Sequence, residues 1–79
     1  MFRFKICDLY LAAYLLVVGC VHLRSATIGD RVYFFFESQV SLKEHRKEFF
    51  SNAPRVPVLS YVQAIRFLKE QTHTLTAKS

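Results

Sequence analysis

The twelve residues from Asp8 to Gly19, Asp-Leu-Tyr-Leu-Ala-Ala-Tyr-Leu-Leu-Val-Val-Gly, constrain the fold of this chain most. They read as a short helix, apolar on nearly every side, with a start signal and a stop signal. The Asp8 carboxylate suits an N-cap, where it accepts from free backbone N–H groups. Gly19 suits the left-handed residue that ends a helix. A helix without a polar face has to be covered on more than one side. The remaining chain must supply that cover.

A membrane origin for the segment is poorly supported. The uncharged run from Leu9 to Val21 has 13 residues, and a spanning helix needs about 20. Arg3 and Lys5 before an apolar run resemble a secretory leader. Val17-Val18-Gly19-Cys20 resembles a bacterial lipoprotein cleavage box, with Cys20 as the acylated residue. Asp8 interrupts that pattern, and cleavage would remove the best helix. The lipoprotein reading stays as an alternative. Cys7 and Cys20 flank the helix, so their Cα atoms lie roughly 20 Å apart, too far for a disulfide. Reduced thiols fit a cytoplasmic protein.

Around this helix the chain of 79 residues reads as one small domain over residues 1–71, with a polar, frayed tail over 72–79. Phe2, Phe4 and Ile6 alternate with Arg3, Lys5 and Cys7, the pattern of a half-buried strand. Val21 to Ile28 and Arg31 to Phe36 flank Gly29-Asp30, a pair suited to a type II′ hairpin. That loop sets the register. It predicts Thr27 opposite Val32, Ser25 opposite Phe34 and Leu23 opposite Phe36, all on the core face with Val21. The other face pairs Ala26 with Tyr33, Arg24 with Phe35 and His22 with Glu37. Ser41 and Glu44 form a capping box. The helix behind it is expected to turn Leu42, Phe49 and Phe50 inward and to end at Asn52-Ala53-Pro54. Pro57 opens a last helix with Val58, Tyr61, Val62, Ile65 and Leu68 as its inward stripe. The expectation is an α+β fold in the order β-α-β-β-α-α, with a small antiparallel sheet packed on three helices.

Three of these segments, Asp8 to Gly19, Arg31 to Phe36 and Ala64 to Lys69, match D-L-Y-L-A-A-Y-L-L-x-x-G, R-V-x-F-x-F and A-x-R-x-L-K. In this the chain resembles a family of short uncharacterised bacterial and phage proteins, classed as a domain of unknown function. The resemblance implies a compact cytoplasmic domain with its N-terminus retained. It brings no activity with it.

The chain lacks Gly-x-Ser-x-Gly, P-loop and dinucleotide-binding motifs. Cys20 and His22 stand two apart, on one face of a strand, but a zinc site wants three or four ligands. His45 on a helix and His73 in the tail do not obviously complete the set. Asp8 is accounted for by its cap. No catalytic residue, cofactor or metal is expected. Lys43, Arg46 and Lys47 interleave with Glu44 and Glu48 as a solvated helix face. The net charge of +5 favours anionic partners. Its sharpest concentration is the outer sheet face, where Tyr33 and Phe35 stand among Arg24, Arg31, Arg3 and Lys5. Such a face suits self-association as a homodimer or a protein partner. The alternative is single-stranded nucleic acid, with bases stacked on the rings. A third possibility is that the rings only stabilise the hairpin through their cationic neighbours. The expected function is therefore a non-enzymatic binding module working through these six residues, without a membrane span.

Overall fold

A computed structural model describes residues 1–51 and 56–77. The elements run in the order β1 (Phe2–Ile6), α1 (Leu9–Val17), β2 (Val21–Ile28), β3 (Arg31–Ser38), α2 (Leu42–Ser51) and α3 (Val58–Ala77). The three strands make one antiparallel sheet in the order β1-β3-β2. This is the α+β arrangement expected from the sequence. Asn52-Ala53-Pro54, read as the stop of α2, lies outside the described residues. Helix α3 continues to Ala77, through positions whose polar composition suggests a tail.

Both caps of α1 form as their residue types dictate. Asp8 Oδ1 accepts from the N–H groups of Tyr10 and Leu11 at 3.0 and 3.2 Å. At the other end, Cys20 N–H reaches Leu15 O at 2.9 Å and Gly19 N–H reaches Leu16 O at 3.2 Å. This pair of bonds is a Schellman motif, which needs a left-handed residue after the cap. Gly19 supplies it with φ +99°. Leu11, Ala12, Ala13, Tyr14 and Leu15 are all buried, so the middle of the helix is covered on every side, while Tyr10 in its first turn is exposed. Ile6, Phe34 and Phe36 of the sheet join them in the core, with Ala64 and Leu68 of α3. The small side chains of Ala12, Ala13 and Ala64 allow close approach of α1 and α3. Tyr61 on α3 donates its hydroxyl to Tyr10 O at 3.0 Å and fixes the crossing.

The hairpin keeps the expected register from the loop as far as Arg24. Ile28 pairs with Arg31, Thr27 with Val32, Ala26 with Tyr33, Ser25 with Phe34 and Arg24 with Phe35. Gly29 has φ +65° while Asp30 has no positive φ, the pattern of a II′ turn. Beyond Arg24 a β-bulge at Leu23 changes the pairing to His22 with Phe36 and Val21 with Glu37. One extra residue exchanges the faces of the residues beyond it. Leu23, expected against Phe36, is 45% exposed, and Val21, expected in the core, is 55% exposed. His22 takes the inward place instead. It lies 5.6 Å from the rings of both Phe36 and Phe67, and its Nε2 is 3.0 Å from Ser25 Oγ.

Two helical stripes also differ from expectation. On α2, Leu42, His45 and Phe49 face inward while Phe50 is 69% exposed and rests edge-on against Phe49. The Ser41 cap of α2 forms, with Oγ accepting from Glu44 N–H at 3.3 Å. On α3 the inward set is Tyr61, Ala64, Ile65 and Leu68, and Val58 is 78% exposed, with Val62 also outside. Ala64, three residues after Tyr61 and four before Leu68, takes the inward place on that face.

Leu15→Ala should lower the free energy of unfolding by about 2–5 kcal/mol. The loss at half-buried Leu16, which a purely apolar reading places in the core as firmly, should be visibly smaller. Gly19→Ala should cost about 1 kcal/mol or more through its backbone alone, since nothing lies within 4 Å of the added methyl. Urea denaturation of the three variants measures all three effects. Equal losses at Leu15 and Leu16 would contradict the packing described.

Candidate functional site

The outer sheet face assembles from alternate residues of three strands. β3 contributes Tyr33, Phe35 and Glu37, β1 contributes Arg3 and Lys5, and β2 contributes Arg24. Arg3 lies opposite Glu37, and their side chains close an ion pair of 2.8 Å. Arg24 lies opposite Phe35 and places Cζ 4.0 Å from the ring centroid. Lys5 reaches diagonally to Tyr33, with Nζ 5.3 Å from that ring. Each such cation–π contact contributes roughly 0.5–1 kcal/mol at an exposed site. Both rings are half-buried under these cations rather than open to solvent.

The bulge adds a residue to this face. Leu23 turns out of the core and, with Phe35, floors a shallow cavity of about 370 Å³ rimmed by Arg3, Lys5 and Arg24. Nothing in the sequence marks a bulge at Leu23, so its place on this face is visible only in the fold. The sequence register puts Glu37 here too, though opposite His22 rather than Val21. Arg31 shares the parity of Tyr33 and Phe35 but leaves the group. Its Nη1 is directed to Cys7 Sγ at 3.8 Å, at the far end of β3. The structure therefore brings five of the six expected residues together, while Arg31, at the Tyr33 end of the face, turns its guanidinium to Cys7.

A second polar group is buried where α2 meets the strand ends. His45 Nε2 lies 2.9 Å from Ser38 Oγ and 3.4 Å from Cys20 Sγ. Ser38 Oγ also accepts from Val40 N–H at 3.1 Å, which leaves its hydroxyl hydrogen for the imidazole. His45 is 8% exposed. Burial pushes the Cys20 thiol up, with the Ser38 hydrogen bond partly opposing. Burial pushes the His45 imidazole down, with Glu48 partly opposing. Both directions favour neutral groups, opposite to the thiolate–imidazolium pair of an activated cysteine. The cluster ties α2 to the turn after α1. The expected partner of Cys20 is His22; both face inward, but His22 packs against Phe36 and Phe67 while Cys20 meets His45. A count along α2 locates His45, since it lies three residues after Leu42 and four before Phe49.

Both cysteines are free thiols, Cys7 exposed and Cys20 buried. Among the described residues no group of three or more His, Cys, Asp or Glu is placed to hold a metal ion. Nor, among them, is any helix long and apolar enough to cross a membrane. The family model described as Domain of unknown function (DUF5659) matches residues 1–74, and the chain belongs to that family. Neither a curated protein nor a solved structure matches the chain.

Burial lowers both His22 and His45 from their ordinary value of 6.5. Below that value the unfolded chain binds protons that the folded chain refuses, so acidification favours unfolding. Stability should be full above pH 6.5 and should fall as pH drops from there through the lower folded values. Urea midpoints taken from neutral pH down to about 5 measure the slope. The double change His22→Asn, His45→Asn should lower stability at neutral pH yet flatten this dependence. An unchanged slope would show that other groups carry it.

Proposed function

We propose that this DUF5659 protein is a non-catalytic binding module whose outer sheet face docks an acidic segment of another protein. The observation that carries the reading is Arg24, held 4.0 Å over Phe35 at the rim of the Leu23 cavity. A guanidinium held with its carbon over a ring still has N–H donors to offer carboxylates. Leu23, exposed beside that stacked pair, offers an apolar seat. The complementary ligand carries Asp or Glu side chains around one apolar residue.

A second copy of this chain fits less well. A two-fold interface brings the same patch to itself, and here Arg3, Lys5 and Arg24 would oppose their own copies against the single carboxylate of Glu37. Like charges across an interface suppress association. Nucleobase stacking fits less well too, because it needs an open ring face and Arg24 occupies that of Phe35. Two free thiols agree with a reducing compartment, and we place the protein in the cytoplasm of a bacterium or its phage by its three motifs. Cleavage before Cys20 would remove β1 and α1, and with them Ile6, Leu11 and Leu15 of the core. This weighs against the acylated form.

A short Asp/Glu-rich peptide carrying one leucine is the probe. It should bind the wild-type chain, more weakly as salt rises, and at least about tenfold more weakly to Arg24→Gln, Lys5→Gln. Gel filtration should give the mass of one chain. Tighter binding of an oligothymidylate than of the peptide would transfer the face to nucleic acid. A concentration-dependent dimer lost in the same variant would transfer it to self-association.

A further inference from the structure

We infer that the chain carries a second binding site, for a small organic anion with an apolar body, in the cavity beside Arg31. Strand β1 pairs with β3 only as far as Ile6 and Phe34. Past that point the chain turns into α1, and the β1 side of residues 31–33 is left without a strand. The space between this end of β3, the start of α1 and the last turns of α3 is a cavity of about 550 Å³. That volume lies within the range of small-ligand sites, about 300–1,000 Å³.

Its lining divides by chemistry. Leu9, Val32 and Phe34 present an apolar floor. Arg31 from β3 and Lys69 and His73 from α3 stand around it. Lys69 and His73 are four residues apart and so share one helix face. Asp30 is the acidic residue of the lining, facing two permanent cations. The lining comes mainly from α1, β3 and α3, which the fold brings together around one space. An apolar pocket with a few convergent polar groups is the usual form of a ligand site. A phosphate or carboxylate head would meet Arg31 and Lys69, and a ring or short acyl chain would cover the floor. This site is distinct from the outer face, since it uses neither Arg24 nor Phe35, and the two can fail separately.

Cys7 lines the cavity and is exposed, whereas Cys20 is buried, so alkylation of Cys7 reports occupancy. Phenyl phosphate and benzoate are the probes, with phenol and inorganic phosphate as their separated halves. Phenyl phosphate, benzoate or both should slow iodoacetamide labelling of Cys7 in a saturable way, and the better of the two names the head group. Each half alone should protect at least about tenfold less well at equal concentration. Lys69→Gln should weaken the protection about tenfold, the loss of one charge-assisted contact, while Arg24→Gln should leave it unchanged. Amide NMR shifts on the wild-type chain should centre on Leu9, Val32 and Lys69. Protection by phenol equal to that of phenyl phosphate would overturn the anion site, as would protection insensitive to Lys69→Gln. Shifts centred on Arg24 and Phe35 would assign the anion to the outer face and overturn it too, as would the absence of any protection or shift.

Discussion

Five consecutive buried residues, Leu11 to Leu15, leave the middle of α1 no side on which to meet water. A helix normally solves its solvation with one polar stripe, and α1 has none. Its stability as a structure comes from three neighbours: the inner face of the sheet, α2 beyond Tyr14 and Phe49, and α3 beyond Ala64 and Leu68. The helix is only nine residues long, too short to persist alone in water. Folding of the helix and assembly of its walls are therefore one event. Both ends are closed by bonds that do not depend on those walls. Asp8 satisfies the first donors and the Schellman turn at Gly19 the last acceptors.

The bulge at Leu23 links the core to the surface. By exchanging Leu23 for His22 it trades an aliphatic side chain for an imidazole on the inner face. That imidazole is satisfied by Ser25 and covered by Phe36 and Phe67. The same step turns Leu23 outward, where it deepens the outer face beside Arg24. A regular ladder would have given a more apolar core and a flatter exterior without Leu23. Composition of the two faces is thus set by one irregular residue.

Local signals were legible in the sequence, and contacts between distant segments were not. Caps at Asp8, Gly19 and Ser41 name their own elements because the chemistry of a helix end involves a few adjacent residues. The pairing of Arg24 with Phe35 comes from counting back from a two-residue loop, and the count stays valid until the bulge. On α3, apolar ranking favours Val58 and Val62, but Ala64 lies on the face that Tyr61 and Leu68 define. On α2, Phe50 outranks His45 in hydrophobicity, yet His45 lies on the face that Leu42 and Phe49 define. Arg31 alternates correctly with Tyr33 and Phe35. Only the fold shows that β1 has already left the sheet there and that Lys69 stands across the gap.

A three-stranded sheet of the order β1-β3-β2 protects its middle strand and leaves two edges. Open edges invite pairing with other chains, the route to fibrils. The sequence of β3, Arg-Val-Tyr-Phe-Phe-Phe-Glu-Ser, is of the kind most prone to that fate, and it is the strand held between the other two. On β1 Arg3 and Lys5 are exposed alongside Phe2, and their charges resist a neighbour carrying the same pair. On β2 the ladder is broken at Leu23, so an incoming strand would meet a kink within a few residues of its start. The irregularity that shapes the binding face is also a guard against templated aggregation. A variant that straightened β2 by deleting Leu23 would expose an unbroken edge beside the most amyloid-prone strand of the protein.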